Sequence, residues 1–142
     1  RPMMVPAPGV ECANPIEHAE RLACLDWYDG EILVLDRVND ALYMRVWTDS
    51  DDTTHRWLVV RVTQQRLDAF GDGAITLADV FRRPEDGYVF VLDAHDETTY
   101  RCTLARVTEV AVCNFPGNVA FPRSEWHEQP ADGSLNTSAQ EA

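Results

Sequence analysis

The sequence predicts an α+β domain: a single, mostly antiparallel sheet of about five strands, with an N-terminal helix and two short helices packed on it. Three stretches carry that expectation. Residues 41–62, ALYMRVWTDSDDTTHRWLVVRV, are two alternating apolar runs around a polar, acidic loop, which is the pattern of a β-hairpin. Residues 14–27 open on Asn-Pro-Ile-Glu and carry Ile16, Ala19, Leu22 and Ala23 at helical spacing. Residues 63–84 hold two segments that each begin on Thr, one followed by Gly71 and the other by Pro84.

In chain order, residues 1–13 (RPMMVPAPGVECA) hold three prolines and no periodicity, so they read as an extended arm. At the expected helix start Asn14 can cap, Pro15 suits the first helical position and Glu17 stands three residues after the cap. The turn Tyr28-Asp29-Gly30 ends that helix. Glu31 to Asp36, EILVLD, is a short apolar run expected to be a strand buried on both faces. Val38-Asn39-Asp40 turns into the hairpin. There an even-sum register gathers Leu42, Met44, Val46, Leu58, Val60 and Val62 on one face. The opposite face then carries Tyr43, Arg45, Trp47, Trp57 and Arg61, the most distinctive surface in the sequence.

Thr63 caps a short helix through Phe70, with Leu67 and Phe70 inward. Thr76 and Asp79 form a capping box for a second helix that supplies Leu77, Val80 and Phe81 to the core. Glu85-Asp86-Gly87 is a turn, Tyr88 to Asp93 a strand, and Thr99 to Val107 its antiparallel partner. Glu109 to Cys113 reads as a last edge strand. The folded domain is expected over residues 14–122. Residues 123–142 form a polar tail, too poor in apolar residues from Gln129 onward to fold alone.

The charge balance excludes several function classes. Of 142 residues, 24 are acidic and 12 basic, a formal charge of −12. Such a surface repels nucleic acid backbones and anionic membranes, so neither is an expected partner. No apolar run approaches the ~20 residues needed to span a bilayer, and the N-terminus lacks a basic-then-apolar pattern, so a cytoplasmic protein is expected. Every basic residue is Arg. Schiff-base chemistry and a phosphate-loop lysine are therefore outside this chain's means. Cys12, Cys24, Cys102 and Cys113 form no CxxC pair and match no zinc template, and they are expected as free thiols. No metal or other cofactor is expected.

The segments YDGEILVLDR, HRWLVVRVTQQRL and ITLADVFRRPEDGYVFVLD together resemble one family of small uncharacterised bacterial proteins. The shared order is a Tyr-Asp-Gly turn, a strand, a hairpin with Trp-Leu on its return, a Thr-Leu-Ala-Asp helix and a Pro-x-x-Gly turn. The resemblance covers about Trp27 to Asp93 and departs at Glu31, where the family pattern has Pro. It implies a bacterial or phage origin and an α+β fold. The family has no assigned activity, so no catalytic residue is implied.

Each candidate site has a chemical and a plain reading. Tyr43, Arg45, Trp47, Trp57 and Arg61 are residue types that anchor protein interfaces; alternatively a helix covers that face and the arginines reach out at the rim. Asp49-Ser50-Asp51-Asp52 has the oxygen density for a divalent cation but lacks the glycine and closing glutamate of an EF-hand loop, so a solvated hairpin loop is expected. His55, Asp93, His95, Asp96 and Glu97 form a site only if two loops converge, and no spacing matches a metalloenzyme or paired-carboxylate template. No serine occupies a Gly-x-Ser-x-Gly elbow, and no catalytic residue is assigned. The expected function is a non-enzymatic protein–protein interaction module: an accessory, inhibitor or immunity-type subunit. The alternatives are an acidic decoy of a nucleic-acid enzyme and a small hydrolase or metal-dependent enzyme.

Overall fold

The structure is a computed structural model that describes residues 4–96 and 98–127. Its elements in chain order are β1 (Val10–Glu11), β2 (Glu20–Trp27), β3 (Glu31–Val38), β4 (Ala41–Ser50), β5 (His55–Val62), α1 (Gln64–Gly71), α2 (Leu77–Arg82), β6 (Tyr88–Ala94) and β7 (Tyr100–Arg106). The strands form one seven-stranded antiparallel sheet in the order β1-β7-β6-β5-β4-β3-β2. Strands β2 to β5 meander, α1 and α2 carry the chain from β5 to its neighbour β6, and β1 returns to the outer edge of β7. This corrects the expected α+β architecture. Among the described residues the sheet has seven strands rather than about five, no N-terminal helix forms, and the fold is mostly β.

The missing helix has a physical explanation. Its cap signal is real: Asn14 Oδ1 accepts from the Ile16 amide at 3.1 Å. The turn stops there, and Glu20–Trp27 pairs with β3 instead. Register shifts between Arg21 and Ala23 and between Cys24 and Asp26 leave Leu22 and Leu25 as extra residues in β2. A bulge inserts one residue, so side chains three apart can share a face of a strand. Leu22 and Ala23, two of the four residues that suggested the helix, pack on the main core with Leu25, whereas Ile16 packs on a separate cluster. Pairing also buries Cys24 and Leu25 together, which a one-sided helix does not offer.

The hairpin adopts the even-sum register: Leu42 faces Val62, Met44 faces Val60, Val46 faces Leu58 and Trp47 faces Trp57. Its apolar side meets Leu33 and Leu35 of β3, Val89 and Val91 of β6, and Leu67, Phe70, Val80 and Phe81 of the two helices in one buried cluster. The helices begin where their caps require. Thr63 Oγ1 accepts from the Arg66 amide, and Thr76 and Asp79 complete a capping box.

Beyond β7 the expected edge strand is replaced by 3-10 turns at Val107–Glu109 and Val112–Asn114. The chain then runs back over the helices, where the Trp126 ring stacks on Phe70 with centroids 6.0 Å apart. The His127 amide donates to Leu25 O of β2 at 2.8 Å. Residues 128–142, most of the expected tail, lie outside the described residues. No helix among the described residues is long and apolar enough to cross a membrane.

Phe70 is fully buried and holds both Trp126 and Phe121 against the helices. Phe70→Ala is expected to cost about 3–5 kcal/mol in urea unfolding, the range for deleting a buried ring. A loss below about 1 kcal/mol would show that the C-terminal segment is not part of the cooperative unit.

Candidate functional site

The helices occupy one face of the sheet, and the chain between β1 and β2 crosses the other. This strap leaves the β7 edge with the Cys12 amide donating to Cys102 O at 3.0 Å. It sets Ile16 against a second, smaller apolar cluster built on Val59, Leu92 and Cys102. Tyr43, Trp57, Phe90 and Tyr100 pack around the same cluster. The face that carries the aromatic and arginine residues is thus covered in part by a strap with a turn at residues 15–18, not by a helix.

All five candidate residues lie on this face. Trp47 stands directly opposite Trp57, Tyr43 opposite Arg61, and Arg45 opposite Val59. Trp47 is 38% exposed and Arg61 is exposed, whereas Tyr43, Arg45 and Trp57 are half-buried. Arg45 is the hub of the group. Its guanidinium carbon lies 4.6 Å from the centre of the Trp57 ring, and its Nε donates to Asp36 Oδ2 at 2.9 Å. A second arm of Arg45 reaches Glu31 Oε1 at 3.5 Å, and Glu31 also pairs with Arg21. Burial raises the Asp36 carboxyl above the usual aspartate range, more than Arg45 lowers it.

Asp36, Glu31 and Arg21 escaped the sequence reading. A signal for them existed. An Asp inside the apolar run EILVLD requires a partner, and the residue diagonal to it across β3–β4 is Arg45.

Trp57 also separates two openings. One, of about 610 Å³, lies under the strap and is lined by Ile16, Glu17, Arg21, Asp36, Arg45 and Tyr100 among others. The second, of about 390 Å³, is lined by Asp29, Glu31, Trp47, His55, His95 and Asp96. The β2–β3 turn forms its rim. Asp29 adopts φ 54° there and Gly30 φ 139°, a left-handed pair that suits Asp-Gly. The His55 ring meets Trp47 edge-on at 6.0 Å, and His95 Nδ1 lies 2.8 Å from Thr54 Oγ1. Trp27 and Tyr28, 49% and 82% exposed, add aromatic surface at the same turn.

The other candidate groups resolve differently. Asp51 Oδ1 accepts from the Thr53 and Thr54 amides at 3.0 and 2.9 Å, and its Oδ2 from the Met4 amide. These bonds hold the Asp51 carboxyl below its usual range, with the Thr53 amide the largest cause. The acidic loop therefore folds around its own carboxylates. Asp93 belongs with Arg56, which donates to it through two nitrogens at 2.8 and 2.9 Å, so it does not join His55 and His95. Glu97 lies outside the described residues. Among the described residues no three His, Cys, Asp or Glu side chains converge as metal ligands. The four cysteines are free thiols; Cys12 and Cys102 approach to 3.7 Å between sulfurs, and burial pushes the Cys102 thiol up.

Compared with known proteins, residues 25–121 match the model of a family described as a family of unknown function (DUF6575). No curated protein and no solved structure matches the chain.

The Arg45 hub yields a pH-dependent prediction. Asp36 has a folded-state pKa above its unfolded one, so the stability from its protonated form is full below the ordinary carboxylate value of about 4 and is lost as pH rises through the raised value. Removing Arg45 takes away the cation that favours ionised Asp36 and raises that carboxyl further. Arg45→Met is expected to cost about 3–5 kcal/mol at neutral pH, the range for breaking a buried ion pair, and clearly less where Asp36 is protonated in both states. Urea unfolding across a pH series measures this, and a pH-independent deficit would contradict the account.

Proposed function

The chain belongs to this family of unknown function, and we propose that it is a non-enzymatic protein–protein interaction module whose contact surface is the strap-side face of the sheet around Trp47 and Trp57. The observation that carries this reading is the pairing of two tryptophans across β4 and β5, one partly open to solvent, beside the exposed Trp27 and Tyr28. Trp, Tyr and Arg dominate the energy of protein interfaces because they combine large contact area with a directed polar group. Trp47 and Trp57 project from interior strands of a seven-stranded sheet, so their positions are fixed before a partner arrives and less entropy is lost on docking. Arg45 serves the surface by bracing Trp57 from the side rather than by reaching outward. In this reading the protein is an accessory, inhibitor or immunity-type subunit.

The formal charge of −12 favours a second reading, an acidic decoy that occupies the basic groove of a nucleic-acid enzyme. The two readings differ at Trp47. A decoy binds through distributed carboxylates and is indifferent to that ring, whereas the interaction face depends on it.

Trp47→Ala is the discriminating variant. The tagged full chain and the variant, matched for thermal melting, are used to capture partners from host lysate at low and at raised salt. A stoichiometric partner held by the wild type at raised salt and depleted about tenfold or more by the variant is expected, since an interface Trp contributes about 2 kcal/mol or more. Equal capture by both proteins would remove this face as the contact surface.

A further inference from the structure

Resting on the interaction-face reading, we infer that the opening between Trp47 and Trp57 is a seat for an arginine side chain presented by a protein partner. The chain already builds one such seat for itself. The Arg45 guanidinium lies over the Trp57 ring at 4.6 Å with the Asp36 carboxylate at 2.9 Å and Glu31 at 3.5 Å. An aromatic face that attracts a cation, closed by carboxylates, is what a guanidinium selects.

The neighbouring opening of about 390 Å³ repeats those ingredients with no arginine among the described residues that line it. Trp47 and Trp57 supply aromatic walls, and Asp29, Glu31 and Asp96 supply negative charge. Glu31 is shared with Arg21 and Arg45, so Asp29 and Asp96 carry the net charge of the site. Asp29 makes no ion pair among the described residues and is held in place by a tight turn, in which the Tyr28 amide donates to Gly30 O at 2.9 Å. Asp96 is anchored by accepting the Thr98 and Thr99 amides at 2.7 and 2.6 Å, and these bonds keep its carboxyl below the usual range and therefore charged.

Charge complementarity selects the occupant. An acidic side chain would meet Asp29 and Asp96 directly. A lysine would bring a strongly hydrated ammonium into a site walled by two indoles and two imidazoles, whereas a guanidinium is weakly hydrated and stacks on such rings. At about 390 Å³ the opening is larger than a guanidinium alone and has room for an arginine side chain together with the partner backbone that presents it. The partner is accordingly a protein with an arginine on a basic surface, and the −12 charge of the chain speeds the encounter.

The test is nuclear magnetic resonance titration of the full chain, labelled with nitrogen-15, using the peptide Ser-Gly-Arg-Gly-Ser and the same peptide with citrulline, lysine, glutamate or phenylalanine in place of arginine. Citrulline keeps the shape of arginine and removes its charge. The arginine peptide is expected to give saturable shifts of the Trp47 and Trp57 indole N–H signals and of the Asp29–Glu31 amides. The citrulline peptide should bind about tenfold more weakly or worse, and lysine between the two. The double variant Asp29→Asn/Asp96→Asn removes charge while keeping the turn, because Asn tolerates the positive φ at position 29. It should weaken arginine binding about tenfold and flatten its dependence between roughly 0.02 and 0.2 M salt. Equal binding of citrulline, arginine shifts that map away from the opening, or indole shifts on concentrating the chain without peptide would each overturn the arginine seat; the last would assign it to a second copy. Saturation by the phenylalanine or glutamate peptide alone would overturn the seat but leave the interaction face standing. Silence of every peptide, together with equal capture by Trp47→Ala, would remove both.

Discussion

The constraint on which the structure turns is that its central strand is buried on both sides. Leu58, Val59 and Val60 of β5 are all fully buried, so neighbouring side chains that point in opposite directions each need a covering layer. On one side the chain supplies α1, α2 and the segment that ends in Phe121 and Trp126. On the other, among the described residues, it supplies only the short strap from Cys12 to Ala19. A sheet of seven strands is wider than one extended segment. The strap-side face is therefore closed over Val59, Leu92 and Cys102 and open toward Trp47.

That asymmetry explains the chemistry of the open face. A charged residue beside an apolar cluster must find its partner within the protein, because water reaches it poorly. Asp36 meets this need through Arg45, and Arg45 in turn is shared with Glu31 and laid against Trp57. The network holds the Trp57 ring in one orientation beside the opening. The residues that give the surface its character are thus the ones that satisfy the buried charge, and the same tryptophan serves the inner network and the outer cleft.

The hairpin and the helix caps were legible because their determinants are local. Alternation from Leu42 to Val46 and from Leu58 to Val62, with a loop of defined length, leaves one register that puts both apolar sets on the same side. Thr63 and Thr76 announce their helices through bonds that span three residues. Strand β2 was not legible because Leu22 and Ala23 also suit a helix, and the bulges at Leu22 and Leu25 that fit this segment to the sheet are defined only by the partner strand. The edge strand expected at residues 109–113 failed for a related reason. The β7 edge is taken by Val10 and Glu11 from the other end of the chain, with Gly9 lying so close to Leu104 O that any larger residue would collide with it.

By itself the sequence determined the hairpin and its register, the starts of the two helices, the five residues of the aromatic–arginine face and the absence of lysine chemistry in this chain. Each follows from short-range alternation, capping or composition. Only the tertiary structure decided that residues 20–27 extend the sheet, that the N-terminal segment crosses the far face, and that Asp36 and Arg45 meet beneath Trp57. Those outcomes depend on contacts between distant parts of the chain, where burial on two faces outweighs the local preference of any one segment.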